Sequence, residues 1–331
     1  MSVKIAVIGS NSFSGSHFID YCLSKNIKVI GISRKNEKNS LLLKYKNNIK
    51  KNKFKFFKLD INKHLKKIIQ ILKINKITYI VDFSGQGMVN ESWQNPEQWF
   101  MTNVYSKVLL IENLKKNLKI KKYIKISTPE VYGSHEKKIE ESFNHKPSTP
   151  YALSHSTFDK FLDLQYKNFQ FPYLILRFSN FYGEHQPIYR IIPKTIYSIL
   201  NQKNLFLHGK GYSKRSFIYI DDFCEAIYKS CVHKKIIGET INFSSNEIVS
   251  IKNLVKKICN LMDYNFKKLV KYKPDRIGKD QKYLMSVKKA KNKVKWTNKI
   301  DLNTGLIRTI KWYTKNKPDL NKIDIVYKHS K

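Results

Sequence analysis

The stretch from Val3 to Phe18, V-K-I-A-V-I-G-S-N-S-F-S-G-S-H-F, constrains the fold of this chain more than any other. Val3, Ile5, Ala6, Val7 and Ile8 form a short apolar run, as a strand buried on both faces of a parallel sheet does. Gly9 breaks the run, and Phe18, Ile19, Cys22 and Leu23 then recur at helical spacing. A strand turning through small residues into a helix brings unpaired backbone N–H groups and the positive end of the helix dipole to one place, where a pyrophosphate can sit. Gly9, Ser12 and Gly15 carry a G-x-x-G-x-x-G spacing with serine in the middle. With Phe13 and Ser14 they form a candidate cofactor-binding loop.

A second apolar run, Ile27 to Ile32, ends in Ser33-Arg34. In dinucleotide-binding folds an acidic residue at that strand end bonds the ribose hydroxyls. Here a serine stands beside a cation, a pairing that fits a 2′-phosphate and favours NADP over NAD. Phe54 to Leu59 ends at Asp60-Ile61, from which Asp60 could reach an adenine amino group. An amphipathic helix over 66–72 precedes the buried strand Tyr79 to Phe83. Ser84-Gly85-Gln86-Gly87 follows as a small-residue turn close to the cofactor. Asn95-Pro96 opens a helix expected from Glu97 to Leu118, carrying Asn103, and Tyr123 to Ser127 reads as a further strand. Strands alternating with helices predict a parallel sheet with right-handed crossovers.

Composition narrows the function. A chain of 331 residues with 41% hydrophobic content can bury a sizeable core. No apolar stretch approaches the roughly 18–20 residues of a membrane span, and the first residues enter a strand directly, unlike a signal peptide. Cys22, Cys224, Cys231 and Cys259 are scattered without metal-ligand spacing and read as free thiols in a reducing, cytoplasmic setting. No metal site is expected. The net charge of +38 is spread along the whole chain as lysine, without a basic stripe interleaved with aromatics, so no specific nucleic-acid partner is expected. Only six arginines occur, Arg34, Arg177, Arg190, Arg215, Arg276 and Arg308. Where lysine is the default cation, arginine marks places that need a planar fork for phosphate or carboxylate.

The chemistry begins at Ser127-Thr128-Pro129-Glu130-Val131-Tyr132-Gly133, because open parallel sheets bind ligands beyond the carboxyl ends of their strands. Pro150-Tyr151-Ala152-Leu153-Ser154-His155 then opens an amphipathic helix, with Tyr151 and His155 on one face. A tyrosine serves as a base near neutrality only if a nearby cation lowers its pKa from about 10. His155 supplies that cation only while protonated.

Taken together, these segments resemble the extended short-chain dehydrogenases that act on nucleotide sugars, the NAD(P)-dependent epimerases and dehydratases, along nearly the whole chain. Thr128 to Gly133 is similar to their Ser/Thr-x-x-V-Y-G turn, and Tyr151 to His155 to their Tyr-x-x-x-Lys pair. Arg177 to Gly183 is similar to R-x-x-N-x-Y-G, and Arg215 to Asp222 to R-x-F-x-x-x-x-D. Glu130 after Thr128, and Asp275-Arg276-Ile277-Gly278-Lys279-Asp280-Gln281-Lys282-Tyr283, resemble the 4,6-dehydratase branch.

The resemblance implies a Rossmann-type doubly wound parallel sheet (residues 1–177) and a smaller C-terminal α/β substrate-binding domain (178–331), with some segments returning to the first. It implies that Tyr151 takes the sugar 4-hydroxyl proton, that Thr128 hydrogen-bonds that hydroxyl, and that Glu130 abstracts the C5 proton. Ser127, Asn180, Arg190, Arg215 and Arg276 would hold the nucleotide-diphosphate sugar, and His155 would adjoin the nicotinamide ribose. A homodimer paired through the helices starting near Glu97 and Tyr151 is also implied. Three positions depart from the pattern. Ser12 replaces a glycine and His155 a lysine. Pro129 replaces the acid that protonates the departing 6-hydroxyl, leaving that proton to a water or to Glu130. Epimerase, reductase or decarboxylase chemistry, or cofactor binding with little catalysis, are the alternatives.

Overall fold

Alternation in the first strand sets the layering. In the computed structural model, which describes residues 3–275, 280–323, 327 and 329, β1 runs Lys4–Ile8. Its residues Ile5 and Val7 pack on one face with Phe18, Ile19, Cys22 and Leu23 of α1 (Phe13–Ser24). Ala6 and Ile8 pack on the other with Ile68 and Leu72 of α2 (Leu65–Ile74). Each fully buried aliphatic side chain contributes roughly 1.5–3 kcal/mol, so a strand with two apolar faces is stable only between two helical layers.

The remaining strands are β2 (Lys28–Ser33), β3 (Phe54–Lys58), β4 (Tyr79–Asp82), β5 (Lys122–Ser127), β6 (Tyr173–Phe178), β7 (Asn180–Tyr182), β8 (Leu205–His208), β9 (Lys214–Tyr219), β10 (Glu239–Phe243), β11 (Ile248–Ser250) and β12 (Val270–Lys273). Seven form one parallel sheet in the order β10-β6-β5-β4-β1-β2-β3. The chain reverses direction of travel between β1 and β4, and a crevice opens at the carboxyl ends of that pair. The doubly wound expectation holds, and β10 is a C-terminal segment that returns to the first sheet beside β6. Two small sheets, β11-β9-β7 and β12-β8, build the C-terminal part.

The helix expected from Glu97 to Leu118 is a composite. It comprises α3 (Pro96–Phe100), a π-helical turn over Met101–Tyr105, and α4 (Ser106–Asn117). The Asn103 side chain explains the wide turn: it accepts from the Gln86 amide at 2.9 Å and donates to the Gln86 carbonyl at 3.2 Å and the Ser154 hydroxyl at 3.0 Å. Local π geometry of this kind concentrates at functional sites. Ser154 belongs to α5 (Pro150–Phe169), which starts behind Thr149, whose hydroxyl accepts from the Ala152 amide. The helices α6 (Ile191–Leu200), α7 (Ile220–Val232) and α8 (Ile251–Leu261), with Leu302–Lys315, complete the helical layers. No helix among the described residues is long and apolar enough to cross a membrane.

Candidate active site

Gly9 occupies φ +83°, and a Cβ there would lie 2.8 Å from the Phe83 and Ser84 backbone. A Cβ on Gly15 would lie 2.5 Å from the Gly9 carbonyl oxygen. Both glycines are therefore required by backbone approach. Ser12 is not a defect between them. Its backbone is extended (φ −76°, ψ 160°), and its hydroxyl donates to the Gly9 carbonyl at 2.8 Å and accepts from the Gly15 amide at 2.9 Å. The serine caps α1 from inside the turn and leaves the first-turn amides of Phe13 and Ser14 without an intrahelical acceptor. The two glycines let the turn close this tightly, and the amides it leaves at the start of α1 fit a dinucleotide pyrophosphate.

Around the cradle the other cofactor candidates are placed unevenly. Ser33 and Arg34 lie at the end of β2, beside the loop. Asp60 spends Oδ1 on the Asn62 amide at 2.8 Å, and Ile61 is in the core. Ser84 is fixed by Asp82, which accepts from its amide at 2.8 Å and its hydroxyl at 2.5 Å, while the Ser84 carbonyl accepts from Lys107 Nζ at 2.7 Å.

Period-2 alternation and sheet register assemble a polar row beneath the crevice. Asp82 of β4 faces Lys125 of β5, and Ser127 of β5 faces Arg177 of β6. Asp159 of α5 closes this row from above. It accepts from Lys125 Nζ at 2.5 Å, Ser127 Oγ at 2.9 Å and Arg177 Nη2 at 2.8 Å. Lys107 of α4 forms a second buried ion pair with Asp82 at 2.9 Å. Arg177 is fully buried and spends its guanidinium on Asp159, with Nε and Nη2 both donating to Oδ2. Ser127 requires correction. Its hydroxyl proton is committed to Asp159, so it does not stand free to donate to a substrate.

Tyr151, Thr128 and Glu130 converge above that row. Thr128 caps the turn Pro129–Tyr132, its hydroxyl accepting from the Glu130 amide. Burial and then the Glu130 carboxylate hold the Tyr151 phenol well above 10, with the Thr128 hydroxyl and the Arg190 guanidinium pulling the other way. Glu130 is pushed up to about 7 by burial and then by Asp280, against Arg215 and Arg190. The His155 ring meets Tyr151 edge-on, with centroids 4.8 Å apart. Burial, then Lys125 and Lys107, push His155 well below 6.5. His155 is therefore neutral at neutral pH and supplies no cation to Tyr151, first because its ring is buried and then because Lys125 and Lys107 stand nearby.

A cavity of about 260 Å³ opens from this cluster, lined by Glu130, Asn180, Arg215 and Asp280 among others. Asn180 Oδ1 accepts from the Tyr283 hydroxyl at 3.1 Å, and Arg215 stacks over the Tyr283 ring at 4.4 Å. Arg190 is exposed at the start of α6, where its charge reaches both Glu130 and Tyr151. Arg276 lies outside the described residues. Tyr283 and Asp280 stand out in the sequence only as members of the Asp275–Tyr283 motif, and Lys107 and Lys125 belong to no motif. A lysine at an inward position of a buried strand was the available signal for Lys125.

The sequence profile of the family described as GDP-mannose 4,6 dehydratase matches residues 7–309. The dTDP-D-glucose 4,6-dehydratase of Mus musculus is 30% identical over 273 residues, covering 80% of this chain and 76% of that protein. The structure of dTDP-glucose 4,6-dehydratase from Bacillus anthracis str. Ames in complex with NAD is similar at 29% identity and a TM-score of 0.83, covering 96% of this chain and 98% of that one. UDP-glucuronic acid 4-epimerase from Bacillus cereus, in complex with UDP-glucuronic acid and NAD, is similar at 26% identity and a TM-score of 0.84, covering 95% and 99%. With the glycine cradle, the Tyr151–Thr128–Glu130 cluster and these similarities in hand, the chain belongs to the GDP-mannose 4,6 dehydratase family of NAD-dependent nucleotide-sugar dehydratases and epimerases.

Proposed function

We propose that this protein is a nucleotide-sugar 4,6-dehydratase, which oxidises a hexose at C4 and then removes the C5 proton. The observation that carries the reading is the clustering of Tyr151 with Thr128 and Glu130, with Glu130 lining a cavity shared by Asn180 and Arg215. Bound nicotinamide supplies the hydride acceptor for C4 and the donor for the later reduction. Tyr151 takes the 4-hydroxyl proton, oriented by Thr128. Its phenol is above 10 in the free protein even with Thr128 and Arg190 pulling it down, so the positive charge of a bound oxidised nicotinamide would have to supply the rest. The C4 ketone acidifies C5–H, and Glu130, near 7, is poised to accept that proton at neutral pH. Asn180, Arg190, Arg215 and Arg276 hold the nucleotide diphosphate, agreeing with the chain's sparing use of arginine.

Within the broader NAD(P) class, Arg34 beside Ser33 supports NADP. We assign the protein to the cytoplasm, in keeping with four buried free cysteines. Met101, Tyr105 and Leu109 on the α3–α4 helix and Leu153 and Leu164 on α5 are exposed large apolar side chains. They mark the surface through which two copies pair. Incubation with dTDP-, UDP-, GDP- and CDP-hexoses followed by mass spectrometry tests the reaction. Loss of one water is expected. An isomer of unchanged mass would instead select epimerisation, the reading favoured by the missing acid at Pro129, and no change in any sugar would leave a cofactor-binding protein.

A further inference from the structure

The bend Ser84–Gln86 leaves β4 at the mouth of the crevice and presses on the cofactor loop, since a Cβ on Gly9 would meet the Phe83 and Ser84 backbone at 2.8 Å. We propose that the buried Asp82–Lys107 pair is a positioning pair that sets this bend against the Gly9 loop before a dinucleotide arrives. The inference rests on the family's use of the cofactor and on no particular sugar chemistry. Asp82 Oδ1 accepts from the Ser84 amide at 2.8 Å and from the Ser84 hydroxyl at 2.5 Å. Its Oδ2 accepts from the Tyr123 hydroxyl at 2.5 Å and from Lys107 Nζ at 2.9 Å. Lys107 Nζ also donates to the Ser84 carbonyl at 2.7 Å. One ion pair, closed off from solvent, thus holds both backbone groups of Ser84.

The residue types follow from the place. Asp82 ends β4, and its carboxylate folds forward over the next two residues, as aspartate does at bends. A carboxylate buried there needs a counter-charge, and Lys107 brings one from α4. The bend is tied onward to the chemistry. Asn103 holds the Gln86 amide and carbonyl and the Ser154 hydroxyl, and that hydroxyl donates to the Tyr151 carbonyl at 2.8 Å. The bend therefore stands between the cofactor loop and the helix turn that carries Tyr151. A bend already fixed in the free protein spares a dinucleotide the entropy of ordering it, so affinity falls when the pair is removed.

Asp82→Asn combined with Lys107→Met removes both charges together, so no unpaired ion is left buried, and deletes the donor to the Ser84 carbonyl. Equilibrium titration of the full chain is expected to show NAD and NADP each bound at least about tenfold more weakly. Lys122→Met is the control, because its ammonium is also buried but holds the Ser230, Cys231 and His233 carbonyls at the end of α7. It is expected to lose stability in urea while keeping both affinities within about threefold. A double variant that binds both dinucleotides within about threefold of wild type overturns the proposal, as does a control that weakens them equally. Should the double variant not fold, hydrogen exchange of the cofactor-free wild type carries the test. The Ser84 and Gln86 amides are expected to exchange at least about a hundredfold more slowly than in an unstructured peptide, and exchange at the peptide rate overturns the preset bend. A wild type that binds neither dinucleotide overturns the inference together with the cofactor assignment beneath it.

Discussion

Two buried cations share one carboxylate beneath the site, and this makes unequal predictions for its members. Asp159, Lys125 and Arg177 are all essentially unexposed. Asp159→Asn leaves two buried cations without a counter-charge, a change that costs about 3–5 kcal/mol in comparable settings. Lys125→Met leaves a balanced Arg177–Asp159 pair. It also removes an ammonium that burial pulls down to about 8 from 10.5, so that its charged form is disfavoured by roughly 3 kcal/mol. Lys125→Met is therefore expected within about 1 kcal/mol of wild type.

The pH dependence follows in sign. Between pH 8 and 10.5 the unfolded chain holds a proton on Lys125 that the folded chain has lost, so stability from this group rises with pH. Relative to Lys125→Met, wild type is expected to gain about 2 kcal/mol between pH 7 and 9.5. Urea unfolding of the full chain at both pH values measures all three quantities. Asp159→Asn within 1 kcal/mol of wild type, or Lys125→Met costing as much as Asp159→Asn, would refute the charge accounting.

Four further outcomes are expected. Tyr151→Phe lowers C4 oxidation by about 10²–10⁴-fold, measured by formation of the 4-keto sugar, while cofactor affinity is unchanged; wild-type turnover removes Tyr151 from the chemistry. Exchange of the C5 proton with deuterated solvent falls about tenfold per pH unit below about 7, where Glu130 becomes protonated, and Glu130→Gln abolishes it. Arg34→Ala weakens NADP more than NAD in equilibrium titrations, and equal losses mean that Arg34 does not read a 2′-phosphate. Tyr105→Glu with Leu164→Lys halves the sedimenting mass, whereas a monomeric wild type excludes pairing through these helices.

The sequence by itself determined the local chemistry of short segments. The Gly9–Gly15 loop, the buried β1, the Pro96 helix start and the Thr128–Glu130 turn follow from spacing, backbone freedom and apolar period, which act over a few residues. Tertiary structure decided what those segments meet. Sheet order sets Asp82 beside Lys125 and Ser127 beside Arg177, and α5 lowers Asp159 onto all but the first. That assembly turned Ser127 inward and buried His155 in its neutral form beside Lys107 and Lys125. Asp280 reaches Glu130 across 150 residues of chain. Electrostatic energy depends on distance and burial, and neither is written in the order of residues until the chain has folded.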